Sequence, residues 1–248
     1  MAKILGIQFR INQRVIEQEQ ICLARGIGEV DIDFINAFDS SIDWDLPEQI
    51  LFGYQGVILG GSGDLDFDGS RPVDDEVRLA SQKILKQLNL LLQYLLDKDI
   101  PTLGICFGHQ ILGAFAGACV QCDKKQSKTK SHEVKFVIDK SEHSLFFDLP
   151  DSFFAHYKHK DVLNRVPQGA VLLMEGGDEC EISALQYKNN IYTVQFHPEL
   201  TFLDMIKRSK DTNDYLTDGI KAEEVFKDDI HSNKILYNFG RLVAERDI

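Results

Sequence analysis

A cysteine with unusual neighbours is the first residue in this chain that could support covalent catalysis. Cys106 lies within residues 104–110, Gly-Ile-Cys-Phe-Gly-His-Gln, between two apolar segments. The pattern Gly-x-Cys-x-Gly between a strand and a helix is typical of a nucleophile elbow, because glycine neighbours permit a sharp turn and close helix packing. Free N–H groups at the start of the helix would favour negative charge on the sulfur. The alternative is a buried core cysteine, and the flanking glycines favour the elbow.

A base and a carboxylate to orient it are found in residues 194–199, Val-Gln-Phe-His-Pro-Glu. In extended backbone, residues two apart project to the same side, so His197 and Glu199 should lie together just past a strand end. Pro198 fits there, since proline cannot continue a central strand. A carboxylate beside an imidazole fixes its tautomer and stabilises its protonated form. A histidine near a glutamate is often structural, but with Cys106 in the same chain the three are candidate catalytic residues.

A glycine-rich turn at 60–63, Gly-Gly-Ser-Gly, directly follows the apolar run 56–59. Glycines at the carboxyl end of a strand let backbone N–H groups face a ligand. Together with the N–H of Phe107, they could hold the oxyanion of a tetrahedral intermediate. A phosphate loop is the weaker alternative, because no Lys-Ser or Lys-Thr pair follows and the next residues are acidic.

The elements that must position these residues alternate along the first half of the chain. Apolar runs predict strands at 3–9, 56–59 and 100–103, and alternating apolar and acidic residues predict a further strand at 30–34. Helical spacing of apolar residues predicts a helix over 11–23 and one long amphipathic helix over 74–97. This β-α-β-α-β alternation predicts a parallel sheet with helices on both faces.

Short strand-like runs replace this alternation after the elbow helix. They lie at 119–122, 134–138, 153–157, 170–174, 182–187 and 191–196. The last two flank Lys188-Asn189-Asn190, which is typical of a hairpin turn. The region 202–248 is predicted to be helical. Its inward-facing residues are predicted to be Ile235, Leu236, Phe239, Leu242 and Val243.

Length and composition are typical of one large globular domain. The chain has 248 residues, 44% apolar and 27% charged. Since no apolar run approaches about 18 residues and the first residues do not resemble a signal peptide, we expect a cytoplasmic protein with no membrane partner. Five widely spread cysteines argue against a disulfide framework. The net charge of −12 argues against nucleic acid as a partner.

An acidic segment follows the glycine turn. Asp64, Asp66, Asp68 and Asp75 fit the spacing of a calcium loop, with ligands at positions 1, 3, 5 and 12. However, no helix precedes the segment, and Asp stands where a calcium loop has a bidentate Glu. We therefore interpret residues 64–76 as a solvated acidic loop at the mouth of the active site and a candidate lid.

Three other features have structural interpretations. Cys119 and Cys122 form a C-x-x-C pair with no second pair or nearby histidine to complete a zinc site. The basic stretch 124–135 is interpreted as a solvated loop, with docking of an acidic partner as the alternative. His156 is interpreted as a packing or surface residue rather than a second base. We expect no metal at these positions.

The two motifs together resemble those of the class I, triad-type glutamine amidotransferases. Gly-Ile-Cys-Phe-Gly-His-Gln at 104–110 and Gln-Phe-His-Pro-Glu at 195–199 match the family in kind and order. The resemblance implies a flavodoxin-like three-layer α/β fold with a central, mostly parallel sheet. It implies one domain over 1–248, in which 202–248 is a C-terminal helical extension packed on the rest. We expect this extension to cap the sheet rather than dock a partner.

The resemblance also implies a reaction, hydrolysis of the side-chain amide of glutamine. Cys106 would attack the amide carbon, His197 would protonate the departing ammonia and later activate water, and Glu199 would orient His197. Backbone N–H groups of Gly61 and Phe107 would hold the oxyanion. The intermediate would be a γ-glutamyl thioester, so the resemblance implies no metal or organic cofactor.

Substrate contacts are likewise implied by the resemblance. They fall on Gly60, Gln110 and His159, the last within Lys-His-Lys-Asp-Val at 158–162, which is similar to the family's Ser-His-Gly-Asp-x-Val. Lys158 and Lys160 replace the serine and glycine of that segment. These departures affect the expected shape of the substrate pocket and not the triad.

The destination of the ammonia stays open. In fused or two-subunit members it passes to a synthetase site, and this chain carries no nucleotide-binding motif. The resemblance therefore implies either the glutaminase component of an enzyme with a synthetase partner or a free-standing enzyme. A γ-glutamyl peptidase or hydrolase with the same triad, acting on a γ-glutamyl small molecule, is an alternative. A non-catalytic regulatory homologue is another.

Overall fold

The computed structural model describes residues 2–211 and 221–245, and these combine strands and helices in the predicted alternation. The strands are β1 Lys3–Gln8, β2 Asp31–Asn36, β3 Gly56–Leu59, β4 Thr102–Ile105, β5 Val120–Cys122, β6 Lys128–Phe136, β7 Ser152–His159, β8 Asp161–Leu163, β9 Val171–Glu175, β10 Ala184–Gln186 and β11 Ile191–Val194. The helices are α1 Gln13–Gly26, α2 Pro47–Ile50, α3 Glu76–Gln87, α4 Asn89–Lys98, α5 Phe107–Phe115, α6 Phe202–Asp211, α7 Ala222–Val225 and α8 His231–Ala244. A short 3₁₀ helix spans Lys140–Glu142. The predicted helical region 202–248 lies partly outside the described residues, at 212–220 and 246–248.

One mixed sheet forms the centre of the fold, with strand order β2-β1-β3-β4-β11-β10-β9-β6-β7 within the described residues. The five strands from β2 to β11 are parallel to their neighbours. The remaining strands pair antiparallel. β11 therefore joins a parallel half to an antiparallel half. The predicted hairpin at residues 188–190 connects β10 to β11.

Helices cover both faces of the parallel half, as predicted. Alternate residues of a strand face opposite sides, so Ile4 of β1 packs with Leu23 of α1 on one face. Leu5 packs on the other face, with apolar residues of α3, α4 and α5 such as Leu92 and Ile111. This confirms the predicted three-layer α/β architecture. No helix among the described residues is both long and apolar enough to cross a membrane.

The single long helix predicted over 74–97 is two helices. α3 ends at Gln87 and α4 begins at Asn89, with Leu88 between them at φ −86° and ψ 2°. Leu88 is fully buried, and the side chain of Gln87 donates to the carbonyl of Ala37 at 2.7 Å. The apolar pattern continues through the junction, so periodicity alone does not show the break.

The basic stretch 124–135 is not a solvated loop over most of its length, and that interpretation was wrong. β6 begins at Lys128 and pairs antiparallel with β7 through eight residue pairs. The side chain of Lys128 is buried, whereas those of Lys130 and Lys135 are exposed. The exposed Lys130 and Lys135 give the strand the basic composition that is typical of a loop.

The C-terminal helix α8 completes one face of the fold. Its residues Ile235, Leu236, Phe239 and Val243 are fully buried, and Leu242 is partly buried against the same cluster. The prediction of the inward-facing residues is therefore confirmed for this helix. Because α8 packs on α1 and β7, it connects the parallel and antiparallel halves of the sheet.

Candidate active site

Cys106 lies between β4 and α5, where the backbone turns sharply. Its φ of 51° and ψ of −96° belong to a region that residues with side chains seldom adopt. The turn is held by neighbours, because the Cys106 N–H donates to the carbonyl of Val194 at 2.8 Å and the Cys106 carbonyl accepts from the N–H of Gln110 at 3.0 Å. The side chain is 3% exposed. This is the conformation of a nucleophile elbow.

The two glycines that flank Cys106 are required by close approach. A Cβ at Gly104 would lie 2.8 Å from the carbonyl oxygen of Gly108 and 2.8 Å from the Thr193 side chain. A Cβ at Gly108 would overlap the carbonyl oxygen of Leu59 on β3. Helix α5 therefore packs so tightly on β3 and β4 that only glycine fits at either position.

His197 and Glu199 follow β11 and lie side by side as predicted. The Nδ1 atom of His197 is 2.8 Å from Oε1 of Glu199, and the side chains are 5% and 1% exposed. Since β4 and β11 are adjacent parallel strands, their carboxyl ends bring Cys106 and His197 to the same edge of the sheet. The Cys106 sulfur is close enough to His197 for its charge to raise the pKa of that ring. The structure thus brings all three candidate catalytic residues together.

The charges in this group stabilise an imidazolium. Burial opposes a charge on His197, but the Glu199 carboxylate and the Cys106 sulfur outweigh it and raise the pKa of His197 to about 9. Burial also disfavours the charged form of Glu199, and the neighbouring His197 outweighs it and lowers the pKa of that carboxyl. The site therefore favours a protonated histidine beside an ionised glutamate at neutral pH.

The loop that carries Glu199 is clamped from two sides. Nδ2 of Asn233, on α8, donates to the carbonyl of Pro198 at 2.7 Å and to that of Leu200 at 3.0 Å. Nη2 of Arg25, on α1, donates to the carbonyl of Glu199 itself at 3.2 Å. Sequence reasoning missed both residues, because both lie far from the loop in the chain and belong to no motif. Asn233 and Arg25 therefore fix the backbone of the loop that carries Glu199.

The glycine-rich turn after β3 lies directly beside the nucleophile. A Cβ placed on Gly61 would be 3.1 Å from Cε1 of His197 and 3.6 Å from Cβ of Cys106. The carbonyl of Gly60 accepts from the N–H of Gly108 at 3.0 Å, which ties the turn to the elbow helix. A Cβ on Gly60 would instead meet the Glu19 carboxylate at 3.2 Å. Of the two glycines, Gly61 is the one that faces the reacting groups.

A cleft opens next to Cys106. It is lined by Ser62, Gly63, Leu65, Asp66, Cys106, Gln110, Lys158, His159, Lys160 and Asp161. The predicted substrate contacts Gln110 and His159 are among these residues, and Gly60 is not. The two lysines that depart from the family pattern lie on its wall.

Two polar side chains in the cleft have fixed roles. Nε2 of Gln110 donates to the carbonyl of Asp161 at 2.8 Å and approaches Oε1 of Gln195 at 3.4 Å. Burial, reinforced by the charge of Lys128, lowers the pKa of His159 to about 3. His159 is therefore neutral, and its contribution in the cleft is hydrogen bonding rather than acid–base exchange.

The acidic loop is bound to the cleft wall. The carboxylate of Asp161 accepts from the N–H of Asp68 at 2.8 Å and from that of Gly69 at 2.7 Å. The carboxylate of Asp66 pairs with Arg71 at 3.0 Å. The interpretation as a solvated loop was therefore wrong in part, because these acidic groups are bound within the protein. Among the described residues, no group of three or more His, Cys, Asp or Glu side chains is placed to hold a metal ion.

The other residues considered in the sequence have structural surroundings. Cys119 is exposed, Cys122 is half-buried, and both thiols are free. His156 is buried, its ring meets that of Phe226 edge-on at 5.9 Å, and its carbonyl accepts from the N–H of His197 at 2.9 Å. His156 is thus a packing residue that also supports the backbone of His197.

Comparison with known sequences points to one family. The family model described as glutamine amidotransferase class-I matches residues 45–205. A glutamine-hydrolyzing GMP synthase subunit of Methanocaldococcus jannaschii is 36% identical over 107 residues, which cover 42% of this chain and 54% of the relative. The corresponding protein of Archaeoglobus fulgidus is 30% identical over 155 residues, covering 62% and 71%. The chain spans from about half to about three quarters of the length of the curated relatives it matches.

Solved structures share the fold at lower sequence identity. A glutamine amidotransferase from Thermotoga maritima superposes with a TM-score of 0.65 at 20% identity, covering 99% of this chain and 97% of the other. A glutamine amidotransferase from Methylobacillus flagellatus superposes with a TM-score of 0.64 at 12% identity, covering 98% and 94%. These likenesses establish the common α/β fold.

Proposed function

This chain belongs to the glutamine amidotransferase class-I family, and we propose that it hydrolyses the side-chain amide of glutamine with Cys106, His197 and Glu199 as its catalytic residues. The products of this half-reaction are glutamate and ammonia. The observation that supports the assignment is the arrangement of the three side chains. A cysteine at a strained elbow lies beside a buried histidine and raises the pKa of its ring, and Nδ1 of that histidine is 2.8 Å from a buried carboxylate.

In the first step the sulfur of Cys106 attacks the amide carbon of glutamine. The thiol proton is taken by His197, and the Glu199 carboxylate stabilises the imidazolium that results. The raised pKa of His197, about 9, keeps that proton on the ring. The carbonyl oxygen becomes an oxyanion, which the backbone N–H groups of Gly61 and Phe107 stabilise.

In the second step the tetrahedral intermediate collapses and His197 gives its proton to the departing nitrogen. Ammonia leaves and a γ-glutamyl thioester remains on Cys106. Neutral His197 then takes a proton from water, the hydroxide attacks the thioester, and glutamate leaves as the thiol is regenerated. Gln110 and the neutral imidazole of His159, both on the cleft wall, position the substrate.

Ammonia release from glutamine by the purified chain tests this proposal. We expect release by the wild-type chain and a loss of at least about 10³-fold in Cys106→Ser. Cys119→Ser is the matched control, because Cys119 is an exposed free thiol. Release that is equal in Cys106→Ser and wild type would overturn the assignment.

A γ-glutamyl peptide is the second candidate substrate. Lys158 and Lys160 line the cleft, and a γ-glutamyl peptide carries a further carboxylate that such cations would attract. The same triad would cleave its amide bond and release an amine instead of ammonia. Comparing kcat/KM for glutamine and for a panel of γ-glutamyl dipeptides separates the two substrates. Lys158→Ser together with Lys160→Gly should lower the rate only for the anionic peptides.

We also propose a synthetase partner for the ammonia. The relatives from Methanocaldococcus jannaschii and Archaeoglobus fulgidus are named as subunits of a glutamine-hydrolyzing GMP synthase, which supports a role for this chain as the glutaminase component of a larger enzyme. Labelling Cys106 with a γ-glutamyl chloromethyl ketone, from which the sulfur displaces chloride to form a thioether, would show whether the chain alone has a competent site. Rapid labelling without turnover of glutamine would indicate that a partner completes the cycle.

A further inference from the structure

A buried arginine lies beneath the glycine turn beside the catalytic group. Arg10 follows β1 and is 6% exposed. Its Nε donates to Oε1 of Glu19 at 2.9 Å, and both side chains are buried. Neither residue belongs to the motifs that indicate the triad. Burying such a charge costs folding free energy unless its partners are well placed. A role beside Cys106 and His197 would explain why Arg10 is buried at this position.

The outer edge of the guanidinium faces the reacting groups. A single point, the position of a Cβ on Gly61, lies 3.2 Å from Nη2 of Arg10, 3.1 Å from Cε1 of His197 and 3.6 Å from Cβ of Cys106. Glycine leaves that point empty, so no side chain of residue 61 separates Arg10 from the catalytic pair. The guanidinium of Arg10 is therefore a positive charge next to the glycine turn.

A hydrogen-bond network through Glu19 holds the guanidinium of Arg10 in one orientation. Glu19 uses Oε1 for Nε of Arg10, and its Oε2 accepts from Nε2 of Gln8 at 2.9 Å. Oε1 of Gln8 in turn accepts from Nε2 of Gln20 at 2.8 Å. The Nε–Glu19 bond fixes the plane of the guanidinium, and Nη2, on the same edge as Nε, lies 3.2 Å from the Cβ position of Gly61. The orientation is thus built into β1 and α1.

We propose that Arg10 supplies a fixed positive charge that stabilises the thiolate of Cys106 and the oxyanion formed beside Gly61. The inference rests on the proposed role of Cys106 as the nucleophile. An opposite charge within about 4–6 Å favours the charged form of a group, and a preorganised charge in a water-poor site acts strongly on charge that develops during reaction. Arg10 would then add a side-chain cation to the backbone donors of the oxyanion site.

The test must separate the effect of Arg10 from the effects of the other charged groups near it. They are Glu19 on α1, His197 and Glu199 on the loop after β11, and Cys106 on the elbow. Burial opposes the charge of Arg10, but Glu19, with contributions from Glu199 and Cys106, keeps the pKa of Arg10 above its ordinary value. A purely structural pair that joins β1 to α1 would affect stability and would leave the reactivity of Cys106 unchanged.

The test measures alkylation of Cys106 by iodoacetamide as a function of pH, without any substrate. The Cys106 peptide is followed by mass spectrometry, since the chain has five cysteines. The double variant Arg10→Gln with Glu19→Gln removes the charge without leaving a buried carboxylate unpaired. We expect its alkylation midpoint to rise by about 1–2 pH units. Glu19→Gln alone keeps Arg10 and removes a negative charge, so its midpoint should fall.

The outcomes are distinct. A double variant that is folded by circular dichroism and alkylates with the wild-type midpoint would overturn the proposal. If the double variant does not fold, a midpoint in Glu19→Gln that is unchanged or higher would overturn it. Midpoints that move in opposite directions in the two variants support it. Because alkylation needs no glutamine, the result holds whether or not the hydrolysis assay succeeds.

Discussion

Nδ1 of His197 lies 2.8 Å from Oε1 of Glu199, and both side chains are buried just after the end of β11. Because of this pairing, the protonation state of His197 contributes to the stability of the fold. Two charges removed from water together depend on each other, and a change of pH or sequence that discharges one leaves the other unpaired.

Stability should therefore fall on the alkaline side. The pKa of His197 is raised from 6.5 to about 9, so protonated His197 contributes fully below pH 6.5 and the contribution is lost as pH rises through about 9. We expect the free energy of unfolding to decrease by on the order of 3 kcal/mol between these limits. Urea denaturation at several pH values measures it. An equally steep decrease in Glu199→Gln would contradict the explanation.

The hydrogen bonds from Asn233 that hold the Glu199 loop should affect kcat. In Asn233→Ala, the carbonyls of Pro198 and Leu200 lose their donor, and the carboxylate of Glu199 is no longer held in register with His197. We expect kcat for glutamine to fall about 10-fold with KM nearly unchanged. Steady-state kinetics check this. Lys234→Ala, the next residue on α8, is the control, and an equal loss there would point to general destabilisation.

The elbow glycine should be intolerant of even one methyl group. In Gly108→Ala the added Cβ overlaps the carbonyl of Leu59, so α5 must move away from β3. We expect destabilisation of about 3 kcal/mol or more and loss of activity. Gly53→Ala is the control, because Gly53 has a φ of 86° but nothing within 4 Å of an added Cβ. That variant should lose only about 1 kcal/mol in denaturation, and a similar loss in both would refute the steric explanation.

The acidic loop should affect substrate binding. Asp161→Asn replaces one of the two oxygens that accept from Asp68 and Gly69 with an amide group that cannot accept. The loop residues Leu65 and Asp66 line the cleft, so we expect KM for glutamine to rise several-fold while kcat changes less. Asp74→Asn, at an exposed position of the same loop, should leave KM unchanged, and a kcat effect without a KM effect in Asp161→Asn would be inconsistent with this role.

The parallel half of the fold and the catalytic group could be predicted because their signals are local. Strands β1, β3 and β4 are short apolar runs, β2 begins with alternating acidic and apolar residues, and the elbow glycines lie within two residues of Cys106. His197 and Glu199 meet because extended backbone projects residues two apart to one side.

The remaining features depend on contacts between distant parts of the chain. Asn233 reaches the Glu199 loop only because α8 packs across the sheet, and nothing near residue 233 indicates this. Lys128 begins a strand whose other lysines face solvent, which hid β6 within a basic stretch. The break at Leu88 is set by tertiary packing, since the residue is apolar, buried and in phase with both helices.

The position of β11 between the parallel and antiparallel halves of the sheet has a consequence for folding during synthesis. The backbone turn at Cys106 is held by the carbonyl of Val194, and His197 lies just beyond it. A nascent chain therefore displays its nucleophile long before it contains the base, and the elbow cannot be locked until β11 inserts between β4 and β10. Closing so large a loop is slow compared with local folding. The turn at Cys106 therefore gains its hydrogen bond to Val194 only once the last central strand is in place.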